Sequence, residues 1–208
     1  MSTYFLNFRD LMIHGKIYDY VTLLKRAVMR EKQTLIEEKF IALLEVHRFR
    51  KITIKMICEE AQINRSTFYS YFQDKYDLLD RLIDHHLSEL DQLVSEIAAG
   101  INRQSDRREL SSIYLQNLFQ YLYEHKIFFK TLMIVHPAQN FNQKLIQLLR
   151  NNYMKVVENV KMQNAEYFVN YTLGGQFGII FFWLQNDCQE PPDVIADIVY
   201  RNIIKTNR

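Results

Sequence analysis

The hydrophobic positions of this chain recur mostly at the three- and four-residue spacing of an α-helix. One such helix runs from residue 33 and should end near residues 47–50, and a longer one is expected from about Tyr76 to Ala98. Prolines and polar turns separate the segments that follow, because proline removes a backbone donor and disfavours helix in the residue before it. These further helices are predicted at residues 107–124, 126–135, 140–162, 166–186 and 193–206. The pattern therefore predicts an all-α fold.

Two short helices between these segments form the pattern of a helix-turn-helix. The first carries an apolar stripe and can be capped by the Thr53 hydroxyl, and Asn64 is expected to cap the second. The stripe can pack against Phe68 and Phe72, so that the opposite face of the second helix reaches phosphates or base edges in a major groove. The residues predicted to contact DNA are Thr53, Arg65, Ser66, Thr67, Tyr69, Tyr71 and Lys75.

The distribution of charge supports a module that meets phosphate. The chain has 208 residues, of which 48% are hydrophobic, so it can bury a sizeable core. Residues 25–75 contain eleven Lys or Arg against seven Asp or Glu, whereas residues 76–208 contain thirteen against fifteen. The excess positive charge therefore surrounds the helix-turn-helix.

The sequence lacks the signals of several other classes of protein. Cys58 and Cys188 lie far apart, which suggests neither a disulfide framework nor a zinc site and favours a reducing cytoplasm. No apolar run reaches the roughly 18 residues that a membrane span requires. No nucleophile, base and orienting group can be assembled, so no enzymatic activity is predicted. No metal or cofactor is expected, since ligand spacing is lacking among His85, His86, His125 and His136.

The stretch from Thr53 to Leu79, TIKMICEEAQINRSTFYSYFQDKYDLL, resembles the helix-turn-helix of the TetR family of one-component transcriptional regulators. The likeness at motif level covers about residues 33–90. Two positions depart from the family pattern: Gln62 replaces a glycine at a turn that favours positive φ, and Arg48 stands where a glycine often ends the first helix. The positions in register are Thr53, Ala61, Tyr69, Phe72, Lys75, Leu78 and Leu79.

The resemblance implies a DNA-binding regulator, most often a ligand-responsive repressor that binds a palindromic operator as a homodimer. A three-helix DNA-binding module at residues 31–75 would precede a helical-bundle ligand-binding and dimerisation domain at residues 76–208. The aromatic residues expected to line the pocket for an unidentified small-molecule effector are Tyr114, Tyr121, Phe128, Phe129, Phe141 and Tyr153. The alternative is a helical adaptor or small-molecule-binding protein without DNA binding.

Residues 1–30 lie outside the module that the family pattern describes, yet they are apolar enough to fold. They can form an extra helix that packs on the body or on a partner. They can also provide a basic arm for the minor groove. As a third alternative, Met29 is the natural start of the protein.

Three glycines within the segment 171–187 require an explanation, because glycine inside a helix costs roughly 1 kcal/mol relative to alanine. Close approach of another helix backbone is the usual compensation. Packing within one chain is one explanation. The other, which the family resemblance favours, is a two-fold interface that also includes the helix at 193–206. The residues predicted at this interface are Gly174, Gly178 and Phe181, with Trp183 packed beneath them.

Overall fold

The computed structural model describes residues 17–100, 107–137, 140–159 and 162–206, which form helices and turns without any strand. The all-α prediction is confirmed. Within these residues, no helix combines the length and the apolar character needed to cross a membrane. The helices are α1 (Ile17–Val46), α2 (Ile54–Glu60), α3 (Arg65–Tyr69), α4 (Lys75–Gly100), α5 (Arg107–Glu124), α6 (Lys126–Lys130), α7 (Phe141–Asn159), α8 (Ala165–Gln185) and α9 (Pro192–Thr206).

The first helix is longer than the sequence pattern indicates. It begins at Ile17 and continues without interruption to Val46. The boundary predicted at residue 30, between an N-terminal extension and the DNA-binding module, therefore falls inside one continuous helix. Residues 1–16 of that extension lie outside the described residues, so the proposals of a basic arm and of a start at Met29 stay predictions.

Helix α6 continues into a π-helical turn at Thr131–Val135, where the sequence pattern indicates one regular helix from residue 126 to 135. The amide of His136 donates to the carbonyl of Thr131 at 2.8 Å, five residues earlier. Such a turn accommodates one more residue than an α-helical turn. Three consecutive side chains, Thr131, Leu132 and Met133, are buried there.

The helices pack as a small N-terminal unit joined to a larger bundle. Helix α1 packs on α2, and α2 on α3, around the fully buried side chains of Phe40, Ile57 and Phe68. Helix α4 leaves this unit and packs between α5 and α7, while α7 contacts α8 and α5 contacts α9. Helix α1 also contacts α6 and the π-helical turn. The N-terminal unit thus meets the bundle through α1 and the continuous helix α4.

Candidate functional site

The helix-turn-helix begins at a capped helix terminus, as the sequence indicates. Thr53 has an extended backbone, and its Oγ1 accepts a hydrogen bond from the amide of Met56 at 3.2 Å, so its role as N-cap of α2 is confirmed. Asn64 occupies the same position before α3, but its side chain makes no capping hydrogen bond. Thr53 is exposed, which leaves it accessible to a phosphate group.

The turn between α2 and α3 has the geometry in which glycine is usual. Gln62 adopts φ 52°, and two hydrogen bonds close the turn, from the amide of Ile63 to Cys58 at 2.9 Å and from that of Gln62 to Glu59 at 3.2 Å. This is a Schellman motif, in which the left-handed residue follows the helix C-cap. Arg48, the other departure from the family pattern, has φ −58°, so its position does not require glycine.

Helix α3 has one buried and one exposed face. Phe68 is fully buried, whereas Arg65 and Ser66 are exposed and the Tyr69 side chain is 55% exposed. The other two residues predicted to contact DNA are half-buried, and Tyr71 packs against the core beside Phe72. The structure therefore brings Arg65, Ser66 and Tyr69 to one accessible surface and leaves Thr67 and Tyr71 only partly accessible. Their contacts with DNA stay predictions.

Lys75, the first residue of α4, uses its ammonium group inside the protein. Its Nζ donates to the carbonyl oxygens of Ile52 at 2.7 Å, Phe49 at 3.0 Å and Arg50 at 3.3 Å. The same atom lies 4.8 Å from the centre of the Phe49 ring, and burial lowers the pKa of the ammonium. Because an ammonium has three N–H donors, all of them are used. The phosphate contact expected from the sequence would have to break one of these bonds.

Acidic side chains occupy the remaining donors at the start of α4. Asp74 Oδ1 accepts from the amides of Tyr76 at 2.8 Å and Asp77 at 2.9 Å. Asp77 Oδ2 accepts from the amide of Gln73 at 2.8 Å, and this bond, with help from Arg81, lowers the pKa of Asp77. First-turn amides otherwise have no partner within a helix. Here they bind carboxylates, which disfavours a phosphate at the same place.

The six aromatic residues predicted to line a pocket fall into two groups. Most of them form ordinary core contacts, with ring centres 5.3 to 6.1 Å apart, among Tyr121, Phe128, Phe129 and Phe141. The remaining pair, Tyr114 and Tyr153, pack edge to face at 5.8 Å. Their hydroxyl groups are buried and have no hydrogen-bond partner in the described part of the chain. Burial raises the pKa of both tyrosines.

Two buried amide side chains add to this polar group. Asn152 is fully buried, and its Nδ2 donates to Asp91 at 2.9 Å while its Oδ1 has no partner among the described residues. Gln176 of α8 is 1% exposed, and neither of its side-chain polar atoms has a partner there. Asp91 also raises the pKa of Tyr114 by its charge, so these groups influence one another. Buried polar atoms without partners are rare in folded proteins and mark sites that ligands or ordered water satisfy.

Helix α8 exposes its glycines and several apolar side chains on one face. A Cβ added at Gly174, Gly175 or Gly178 would meet nothing within 4 Å, so no helix of the same chain approaches them. Phe181, on this face, is 42% exposed. Trp183 is 1% exposed, with its Nε1 donating to the carbonyl of Glu190, so it supports α8 from below. Packing within one chain therefore does not explain the glycines.

Family models match both parts of this architecture. The model for bacterial regulatory proteins of the tetR family matches residues 41–82, which include α2 and α3. A model for the C-terminal region of transcriptional regulators, of the TetR type, matches residues 109–205. The chain belongs to the TetR family of transcriptional regulators. Members of this family are transcription factors, so the prediction that the protein is not an enzyme is confirmed.

Relatives of this TetR-family chain are regulators of distant sequence. It is 22% identical over 168 residues to the HTH-type transcriptional regulator YxbF of Bacillus subtilis (strain 168), covering 79% of this chain but only 43% of YxbF. It is 27% identical over 157 residues to DhaS of Lactococcus lactis subsp. lactis (strain IL1403), the transcriptional activator of the dhaKLM operon, covering 76% of this chain and 67% of DhaS.

Solved structures share the fold. A DhaS structure superposes with a TM-score of 0.60 and 20% identity, over 84% of this chain and 95% of that one. The structure of FadR from Bacillus subtilis in complex with stearoyl-CoA gives a TM-score of 0.57 and 14% identity, over 82% and 96%. At these identities the likeness shows the TetR-type fold alone.

A basic turn before α2 was missed by the reasoning from sequence. Arg48, Arg50 and Lys51 are exposed and form no ion pair within the described residues. By contrast, Lys55 on α2 pairs with Glu59 at 3.7 Å. The sequence signal was the cluster of three cations in four positions directly before the cap Thr53. Unpaired cations beside a recognition module are candidates for phosphate contacts.

Proposed function

We propose that this protein is a ligand-responsive repressor that binds a palindromic operator as a homodimer in the cytoplasm. The observation that carries the proposal is the exposed surface formed by Arg65, Ser66 and Tyr69 on a capped and rigid helix-turn-helix. Arg65 has no ion-pair partner among the described residues, so its guanidinium is available to a guanine edge or a phosphate.

The exposed face of α8 supports the homodimer. Glycines in a helix are compensated when another backbone comes close, and within this chain none does. Large apolar side chains surround them on α8 and on the neighbouring α9. Those that are at least 42% exposed are Tyr167, Tyr171, Phe181, Phe182, Val194 and Ile198. A second copy of the chain on this face would bury them and would place two recognition helices on one palindrome.

The buried polar group inside the bundle supports a small effector with hydrogen-bonding groups. The hydroxyls of Tyr114 and Tyr153, the amide oxygen of Asn152 and both polar atoms of Gln176 have no partner in the described part of the chain. A ligand that supplies donors and acceptors would satisfy them, whereas a long acyl chain would leave them unsatisfied at a cost of about 1–3 kcal/mol each. We therefore favour a compact polar effector over a fatty acyl group.

A second candidate function is activation of transcription. The relative DhaS, which is 27% identical over 76% of this chain, is named as an activator. An activator would use the same DNA surface and the same dimer, and it would differ in where the operator lies relative to the promoter. A reporter fused to a bound promoter separates the two functions, because removal of a repressor raises expression and removal of an activator lowers it.

The DNA-binding proposal is tested by selecting bound sequences from a random duplex pool with the purified protein. The expected result is a palindrome with half-sites about one helical turn apart, or a multiple of that spacing, as in other helix-turn-helix dimers. Arg65→Ala is the matched variant, and Lys155→Ala on α7 is a control remote from α3. Failure to enrich any sequence, or equal enrichment by the Arg65→Ala protein, would contradict the proposed DNA surface.

A further inference from the structure

Three potential metal ligands converge at the junction of α1, α4 and α6. His86 and Glu89 lie three residues apart on one face of α4, and His125 lies between α5 and α6. One ligand atom of each residue lies within 4.8 Å of those of the other two. His86 is buried, His125 half-buried and Glu89 exposed. The residues are up to 39 positions apart in sequence, so linear spacing did not reveal this cluster.

The hydrogen bonds of Tyr121 leave His86 with a free lone pair. The Tyr121 hydroxyl lies 2.9 Å from His86 Nδ1, 3.0 Å from Glu89 Oε2 and 3.2 Å from the carbonyl of His86. It has one proton, and a carboxylate is the strongest of these acceptors. The hydroxyl then donates to Glu89 and accepts from the Nδ1–H of His86. The lone pair of His86 is therefore on Nε2, the arrangement of metal-ligating histidines whose other ring nitrogen donates to a neighbour.

The cleft beside these residues suits a cation. Its volume is about 580 Å³, and it lies between α1, α4 and the start of α6. Lys126 is the one lysine among its lining residues, while its carboxylates come from all three walls. These are Glu37, Glu38, Glu45, Glu89 and Glu124. Acidic walls attract a cation, and the open space admits water as a further ligand.

The alternative is that His86 is an ordinary core residue. Its ring lies 4.1 Å from that of Phe128, as a buried aromatic side chain would. That contact does not account for His125, whose ring centre is 4.7 Å from that of His86, or for the Glu89 carboxylate beside both. We propose that His86, Glu89 and His125 bind a divalent transition-metal ion such as Zn²⁺.

Metal binding would draw the three side chains together. Zn²⁺ binds histidine nitrogen and carboxylate oxygen at about 2.0–2.2 Å in tetrahedral geometry, which places neighbouring ligand atoms roughly 3.4 Å apart. The present spacing of up to 4.8 Å thus closes by rotation of the less buried side chains, Glu89 and His125. His85, whose Nε2 lies 3.5 Å from Glu89 Oε1, would lose its contact with that oxygen when it turns to the metal.

The experiment uses full-length protein without a histidine tag, treated with a chelator and then titrated with Zn²⁺ against a chromophoric chelator of micromolar affinity. The expected result is one competing site per chain. His125→Gln should abolish the competition, and Tyr121→Phe should weaken Zn²⁺ binding by about tenfold or more, since outer partners of ligands commonly contribute that much. His136→Gln, outside the cluster, is the matched control and should bind as the unchanged protein does.

Two readouts guard against misfolding. Thermal unfolding of His125→Gln in the presence of chelator should match that of the unchanged protein, and Zn²⁺ should raise the melting temperature of the latter alone. Co²⁺ in place of Zn²⁺ should give the visible spectrum of a low-coordinate nitrogen and oxygen site. Absence of competition for Zn²⁺, or equal binding by folded His125→Gln, would overturn the proposal. So would equal loss of binding in His136→Gln, because the site would then lie elsewhere.

Discussion

Lys75→Met tests whether the first residue of α4 acts through folding or through DNA. Methionine keeps an unbranched side chain of similar reach but removes the ammonium that donates to the carbonyls of Phe49, Arg50 and Ile52. A hydrogen bond to a charged group contributes about 1.5–3 kcal/mol, and the third bond here is long and exposed to water. We therefore expect the substitution to lower the free energy of unfolding of the N-terminal unit by about 2–4 kcal/mol.

The assay is hydrogen exchange of the turn that Lys75 holds. The amides of Lys51 and Ile52 donate within this turn at 2.8 and 3.2 Å. A loss of 2 kcal/mol corresponds to about thirtyfold faster exchange if these amides open with the unit. Trp183 is the one tryptophan of the chain and lies in the bundle, so its fluorescence is an unsuitable probe for this region.

The dependence of DNA affinity on salt separates the two roles. If the ammonium of Lys75 stays with the carbonyls, Lys75→Met weakens binding but leaves the slope of log K against log salt unchanged once the folded fraction is considered. Lys51→Met is the matched control. It removes an exposed cation with no ion-pair partner among the described residues, so it should keep stability and shallow the slope by about 0.9 per phosphate lost. A Lys75→Met protein with unchanged exchange and a shallower slope would refute the structural role.

Three further substitutions test the other surfaces. Arg65→Ala should weaken binding to the preferred operator by about 1–3 kcal/mol and to random DNA by less, and equal losses in titrations on both would assign Arg65 to phosphate. Gly178→Leu should fold normally but sediment as a monomer with weak binding to a half-site, and a dimer with normal operator affinity would contradict the interface. Gln176→Leu removes two buried polar atoms without partners in the described residues, so it should raise the free energy of unfolding by about 1–3 kcal/mol in urea and abolish the response to an effector. A destabilised Gln176→Leu protein would show that these atoms are satisfied.

The helices were predictable because their apolar spacing is regular and their ends carry clear signals. The segments expected at 107–124, 166–186 and 193–206 agree with α5, α8 and α9 to within one residue. The π-helical turn after α6 was not predictable, since one additional residue in a turn leaves the apolar composition of the segment unchanged. The left-handed turn at Gln62 was identifiable only by comparison with the family pattern, because glutamine itself does not favour positive φ.

The candidate sites were less accessible to reasoning from sequence because their partners are distant along the chain. Lys75 appears in the pattern as a cation beside a recognition helix, yet its hydrogen-bond acceptors lie 23 to 26 residues earlier. His86 and His125 come from different helices, which is why a search for ligand spacing within one segment did not find them. Aromatic content identified the bundle interior correctly but could not distinguish Tyr114, with its unpaired hydroxyl, from the tightly packed Phe129.

Helix α4 connects these features in one rigid element. Lys75 at its start holds the turn before α2, and Asp91 binds Asn152 beside the unpaired polar atoms of the bundle. At 1.5 Å per residue these two positions lie about 24 Å apart, a distance that a continuous helix spans without a flexible joint. A ligand can change operator affinity only if it binds two positions of this helix with different affinities. An effector that competes for the Asp91–Asn152 hydrogen bond meets that condition, because this bond joins α4 to α7, and the ammonium of Lys75 passes any displacement of α4 to the turn that precedes the recognition unit.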